Sequence, residues 1–400
     1  MSRKQSFGPG SSPYEAVKKL YTDYLRTPLA TYLFDRLGYP LLTRQTIYDG
    51  RPDYVQYFGE FFPAETVTIS EPQSMGPIPT DLQRMVRKWK FVPPFVFVVE
   101  NADLVGPDAL PIAPDSSYII EAATGSAPRA TDALIRTLGS GIAPVHRGTG
   151  KRHDTVVSFA GPWSGEFFHW FADYLPRLRV LKRYRKQTGV TPKILLPPDP
   201  PEWMTRSLTL LDVPESRRLQ WDGGRWSVDH LVVPSLPRHT RSTVPDVGYI
   251  HSPRELRWVT ESLLSKLPPT ASPDVGNRLY VSRSRQPSRH VRNEAELLSV
   301  AHEFGFDAVY PEDWSLDEQL AVFAEADVVL GPHGAGLLNA MYGDETTLVE
   351  LFGKRTNPCF FAIAEGMDMS YAMLQCEAVG DDMRVDPEQL RELLALAVSD

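Results

Sequence analysis

The chain has 400 residues, 42% hydrophobic and 23% charged, the composition of an ordinary globular protein with room for two domains. A net charge of −8 argues against nucleic acid held on a broad basic surface. The two cysteines, Cys359 and Cys376, both lie in apolar company, which favours small buried thiols; they suggest no disulfide framework and show no zinc spacing.

Residues 1–13 are dominated by Ser, Gly and Pro and read as flexible. Residues 14–90 read as a mostly helical and irregular N-terminal extension. Its first part interleaves Lys18, Lys19, Arg26 and Arg36 with Leu20, Tyr21, Leu29 and Phe34. That pattern gives a helical arm packed on the body, or a basic amphipathic helix pair lying on a membrane surface. No run approaches the ~18 apolar residues of a membrane span, and the N-terminus lacks a secretory core. A cytoplasmic chain is therefore expected, with the arm as the route to peripheral membrane association. Residues 95–99, 104–105 and 117–120 read as short strands of a small β-meander, turning at 101–102 and 106–108.

An alternation follows. Residues 154–160 predict a strand, 165–186 a long helix, 192–196 a strand, 202–211 a helix and 230–233 a strand. Pro176 implies a kink or a first-turn position in the long helix. The proline-rich stretch 234–253 is taken as a linker, followed by a helix at 254–267. A second alternation has strands at 277–282, 307–310, 327–330, 346–351 and 371–376. Its helices fall at 294–304, 316–324, from about 335, at 360–366 and at 387–398. The division predicted is 1–90 extension, 91–250 first Rossmann-like domain with its leading meander, and 251–400 second Rossmann-like domain. In such folds ligands bind at the carboxyl ends of the strands.

Four clusters carry chemistry. Gly331-Pro332-His333-Gly334-Ala335-Gly336 lies between a strand and a helix start, where bare N–H groups and the helix dipole favour an anion. Gly334 and Gly336 allow close approach to the backbone, and His333 stands at the lip. His169 and Asp173 are four apart and share a helix face, where a carboxylate can orient an imidazole as a general base. Arg283 and Arg285 leave a strand end, and Arg289 and Arg292 precede a helix that Asn293 is placed to cap. Their guanidinium forks suit a pyrophosphate. Glu350, in an apolar strand, needs a partner and is placed to accept from ribose hydroxyls.

Three motifs in this order resemble glycosyltransferase family 61. They are His169-Trp170-x-x-Asp173-x-Leu175-Pro176-Arg177-Leu178, Ser282-Arg283 with Arg289-x-x-x-Asn293-Glu294, and Gly331 to Leu337 with Asn339. The resemblance runs from about residue 95 to 376. It implies a GT-B fold, two Rossmann-like domains facing a central cleft. It also implies a nucleotide-sugar donor as substrate with no other cofactor, a glycan, lipid-linked or protein acceptor, and inversion at the anomeric carbon. His169 or Asp173 is then the base. Arg283, Arg289 and the backbone of Gly334, Ala335 and Gly336 take the diphosphate, Glu350 the ribose, and His333 the phosphate or the donor sugar. Asn339 completes the donor side. No Asp-x-Asp triplet is present, so no metal is expected. The competing reading is a catalytically silent nucleotide-sugar or glycan-binding protein on the same scaffold. An NAD-dependent oxidoreductase fits poorly, because the glycine turn lies late and lacks Gly-x-Gly-x-x-Gly.

Overall fold

The computed structural model describes residues 40–123, 127–239, 250–269 and 272–398, together with Leu25, Pro28, Leu29 and Tyr32. Nearly all of the basic arm at 14–42, and residues 1–13, lie outside the described residues. In chain order the strands up to residue 234 are β1 (Leu41–Leu42), β2 (Val55–Glu60), β3 (Glu65–Thr68), β4 (Gln73–Met75), β5 (Lys88–Phe91), β6 (Phe95–Val105), β7 (Leu110–Ile112), β8 (Tyr118–Ile119), β9 (Lys151–Ser158), β10 (Lys193–Leu196), β11 (Arg218–Gln220) and β12 (Arg225–Pro234). Nine of these twelve form one sheet in the order β1-β8-β7-β6-β12-β9-β10-β11, with β2 also on β6. The run β12-β9-β10-β11 is parallel, joined by the crossover helices Arg177–Thr188 and Glu202–Leu210.

The meander is not a separate layer. β6 pairs antiparallel with β12 and belongs to the same sheet. The two strands expected at 95–99 and 104–105 are one, because Asn101 takes φ 51° inside the strand instead of turning the chain. Asn tolerates that left-handed conformation through its short polar side chain. Nor are residues 40–91 mostly helical. They hold five short strands and only two short helices, Arg44–Asp49 and Thr80–Gln83. These strands are short and sit at sheet edges or in a separate β3–β5 pair, so their alternation is brief and broken by proline and glycine.

The second half contains β13 (Arg278–Val281), β14 (Asp307–Val309), β15 (Val328–Pro332), β16 (Thr347–Phe352) and β17 (Ser370–Gln375), then a hairpin of β18 (Glu377–Val379) and β19 (Asp382–Arg384). Its main sheet runs β14-β13-β15-β16-β17-β4 and is parallel throughout. Buried parallel strands read as apolar runs; β15 does so, and β16 does so apart from Thr347 and Glu350. Strand β4, from the N-terminal region, completes this sheet, so residues 40–91 are woven into both halves. Strand order reverses between β13 and β15, and the crevice at their carboxyl ends is the binding position this topology offers. One apolar cluster joins Phe159, Trp170 and Phe171 of the first half to Val329, Leu337 and Phe361 of the second, so the halves share a core along their seam. Both cysteines are free and buried within the second half.

Candidate active site

Beyond β9 the chain enters the helical turn Phe167–His169, widens into a π-helical turn at Trp170–Tyr174, and resumes as Arg177–Thr188. The Leu175 N–H reaches back five residues to the Trp170 carbonyl at 2.8 Å, and Pro176, which has no N–H, sits at the junction. The sequence-predicted pair survives this widening. His169 Nδ1 lies 2.7 Å from Asp173 Oδ2.

Asp173 is buried and holds more than His169. His251 Nε2 is 3.1 Å from Oδ1, Arg238 Nη1 approaches the carboxylate at 3.4 Å, and Arg177 Nε donates to the Asp173 carbonyl at 2.9 Å. Burial pushes the Asp173 carboxyl upward. The charge on Arg238 and the hydrogen bonds from His169 and His251 overcome it, leaving the group well below the usual carboxylate range. An ionised carboxylate only accepts, so His169 Nδ1 is the donor, and in the neutral ring Nε2 is the nitrogen with the lone pair. Trp163 stacks on the His169 ring at 5.4 Å between centroids. Its φ of 60° lies in the left-handed region, uncommon for so bulky a residue.

Arg238 and His251 were not among the expected site residues. They come from the stretch read as a linker, where an antiparallel bridge pairs the two residues and His239 N–H bonds the Ile250 carbonyl at 2.8 Å. The available signal was an Arg and a His among prolines and apolar residues, which gives no partner.

At the switch point, the four arginines of the β13 loop sort into two kinds. Arg285 pairs with Asp313 and Arg292 with Asp382. Arg283 donates only to the Ser288 carbonyl, at 3.3 and 3.2 Å. Its guanidinium is pushed down to about 10 by burial and by Arg289, with Glu312 opposing. Arg289, at φ 62°, is lowered by burial and then by Arg355. Among the described residues Arg283, Arg289 and Arg355 form no ion pair. Clustered cations whose neighbouring carboxylates, Glu312 and Glu350, form no ion pair with them favour an anion.

Arg283 lies directly over the glycine turn. A Cβ on Gly334 would stand 2.0 Å from Arg283 Nη1, so it is close approach, not φ, that glycine serves here: any side chain would displace the guanidinium from the turn. A cavity of 330 Å³ opens beside them, with Trp314 and Asn339 on the second-half side and Phe167 and Trp203 from the first half. The element after the turn is a 3-10 helix, Ala335–Tyr342, not the expected α-helix. Residues 337–342 are all buried, so packing on every side sets the winding. Its first closing bond runs from Leu337 N–H to the Gly334 carbonyl at 3.0 Å, leaving the Ala335 and Gly336 N–H groups ahead of the first closed turn.

The ribose role expected for Glu350 is not what the structure places there. Glu350 is 0% exposed, one oxygen bonded to His333 Nδ1 and the other accepting from the Tyr371 hydroxyl at 2.7 Å. Both oxygens are engaged inside the fold, with Glu350 placed to hold the His333 ring. Asn339 is also buried. Its Nδ2 donates to Gln319 Oε1 at 3.0 Å, while its Oδ1, at the cavity, has no partner among the described residues. Asn293 heads the helix Glu294–Glu303 without a side-chain cap; its amide is taken by Val385, donating to the carbonyl at 2.8 Å and accepting from the N–H at 3.0 Å.

The two histidines are linked through aromatic rings. Phe168 contacts His169 at 5.3 Å and Phe360 at 5.5 Å, and Phe360 contacts His333 at 5.2 Å. His169 of the first half and the arginine-flanked turn of the second thus meet along the seam.

Residues 167–349 match the family model described as Glycosyltransferase 61. The protein O-linked-mannose beta-1,4-N-acetylglucosaminyltransferases 2 of Xenopus laevis and Xenopus tropicalis are each 27% identical over 141 residues, 33% of this chain and 24% of theirs. The chain thus matches about a quarter of the length of these relatives. The matched stretch holds His169, Asp173, Arg283, Arg289 and the whole glycine turn, and over residues 167–349 this chain is similar to glycosyltransferase family 61.

Proposed function

We propose that this chain moves a sugar from a nucleotide-diphosphate donor to a hydroxyl of a glycan, glycolipid or glycoprotein acceptor, with inversion. The carrying observation is Arg283, which makes no ion pair, lying against the Gly334 turn with Arg289 acting on it, across the seam from a histidine whose Nδ1 is held by Asp173.

In this reading the diphosphate lies on Arg283, Arg289 and the N–H groups of Gly334, Ala335 and Gly336. The nucleoside extends into the 330 Å³ cavity toward Trp314 and Asn339. The donor sugar then lies on the His333 side, nearest His169. His169 Nε2 takes the proton of the acceptor hydroxyl. Its oxygen forms the new bond to the anomeric carbon from the face opposite the leaving group. The bond to the diphosphate oxygen breaks with its electron pair, and the arginines and amides stabilise that charge.

Because side-chain cations meet the leaving charge, transfer is expected to persist in EDTA. A panel of nucleotide sugars assayed with and without chelator, with NMR of the anomeric product, tests this. Inverted product in EDTA supports the reading. Activity abolished by EDTA and restored by Mn²⁺ would overturn its metal-independent part, and a retained configuration would overturn inversion.

A further inference from the structure

We infer that His251 and Arg238 are positioning residues for the His169 base, holding Asp173 as an anion aimed at His169, with His251 acting as a neutral donor. This rests on the reading of His169 as the base.

The geometry is that of a hub. Asp173 Oδ2 faces His169 Nδ1 at 2.7 Å, and Oδ1 receives His251 Nε2 at 3.1 Å, with Arg238 Nη1 beside them at 3.4 Å. Arg177 fixes the backbone of the same residue from one helical turn along. Because Asp173 only accepts, the proton of His251 is on Nε2. His251 Nδ1 is buried and has no partner among the described residues, and the ring meets Phe168 edge-on at 5.6 Å. A second proton on that ring would leave a buried N–H with no acceptor, which is costly. His251 is therefore neutral, and burial favours the same state.

Neutrality matters to the neighbour. A charged donor at this position would place a second cation beside Arg238 and oppose proton uptake by His169. A neutral N–H holds the carboxylate without that effect. The charged and titratable groups acting on the hub are His169, Tyr174 and Arg177 on its own helical segment, Arg238 and His251 from the paired stretch, and Glu121 beyond Arg177. None of them requires the carboxylate to be protonated. Asp173 therefore stays an acceptor while His169 cycles.

The test compares His251→Leu with His251→Gln, whose amide N–H can replace Nε2–H. Leucine removes a donor from Asp173, which then pulls harder on the His169 imidazolium. Its kcat is expected to fall on the order of tenfold, part of the ~10²–10⁴-fold a positioned base contributes. The acid limb of its pH–rate profile is expected to move up by about one pH unit. Donor KM stays unchanged, and glutamine restores the limb. A fall in kcat with the limb unmoved, or no change at all, would reduce His251 to packing and overturn the proposal. If the leucine variant does not fold, ¹⁵N NMR of the wild-type imidazoles decides. His251 is expected as the neutral Nε2–H tautomer across the active pH range, and a charged ring or the Nδ1–H tautomer would overturn the proposal. The NMR result does not depend on glycosyl transfer, so a failure of the proposed function would show separately, as absent transfer with the hub intact.

Discussion

Replacing His169 by alanine is expected to lower kcat by about 10³-fold while leaving nucleoside diphosphate affinity unchanged. Among the described residues, the carboxylate bonded to His169 is poorly placed to stand in for it. Asp173 is its nearest carboxylate, but it is buried and held by His251 and Arg238, with its carboxyl well below the usual range. Deleting the imidazole exposes a weak base whose remaining donors stay in place. Steady-state transfer rates and calorimetry on the same preparation separate the two quantities. Retained turnover would show that the proton leaves by another route. A parallel loss of donor binding would show that His169 belongs to the donor site.

The second large effect concerns the cationic turn. Arg283→Ala is expected to weaken nucleoside diphosphate binding by about 2–3 kcal/mol, the cost of one or two hydrogen bonds from a charged donor. That is about thirty- to more than a hundredfold in affinity. Gly334→Ala should act in the same direction with the arginine still present. The added Cβ falls 2.0 Å from Nη1, and the guanidinium must move off the turn. Arg285→Ala is the comparison, since that side chain is exposed and already paired with Asp313. Calorimetry that finds all three variants equal to wild type would remove Arg283 from the site.

The second half was largely legible in the sequence. The helix predicted at 316–324 is observed at those bounds, begun by a capping box in which the Ser315 hydroxyl accepts from Glu318 N–H and the Glu318 carboxylate accepts from Ser315 N–H. The strands around it are buried on both faces and announce themselves as apolar runs. The first half was harder. β11, a polar three-residue strand, gives no period, and β4 finds its partner β17 some three hundred residues away. That pairing has no local trace.

The site divides along the same line. His169 and Asp173 were readable because a helix brings residues four apart together. Arg238 and His251 meet Asp173 across 65 and 78 residues, and no spacing rule spans that distance. Glu350 shows a partial reading. A carboxylate in an apolar strand must have a partner, and that was visible. The partner depends on register. Glu350 lies beside Gly331 across β15 and β16, two residues before His333, so the neighbouring strand supplies what a ribose was expected to supply.

Central to the proposed transfer is a diphosphate clasped between the glycine turn and the seam, with His169 facing the acceptor. A crystal structure with a bound nucleoside diphosphate tests it most directly. The expected result places phosphate oxygens about 2.7–3.2 Å from Arg283 and from N–H groups of Gly334 to Gly336. The base should lie in the cavity beside Trp314, and His169 Nε2 should face the open side near His333. A diphosphate bound away from Arg283 and the turn, with His169 on an unrelated surface, would contradict it.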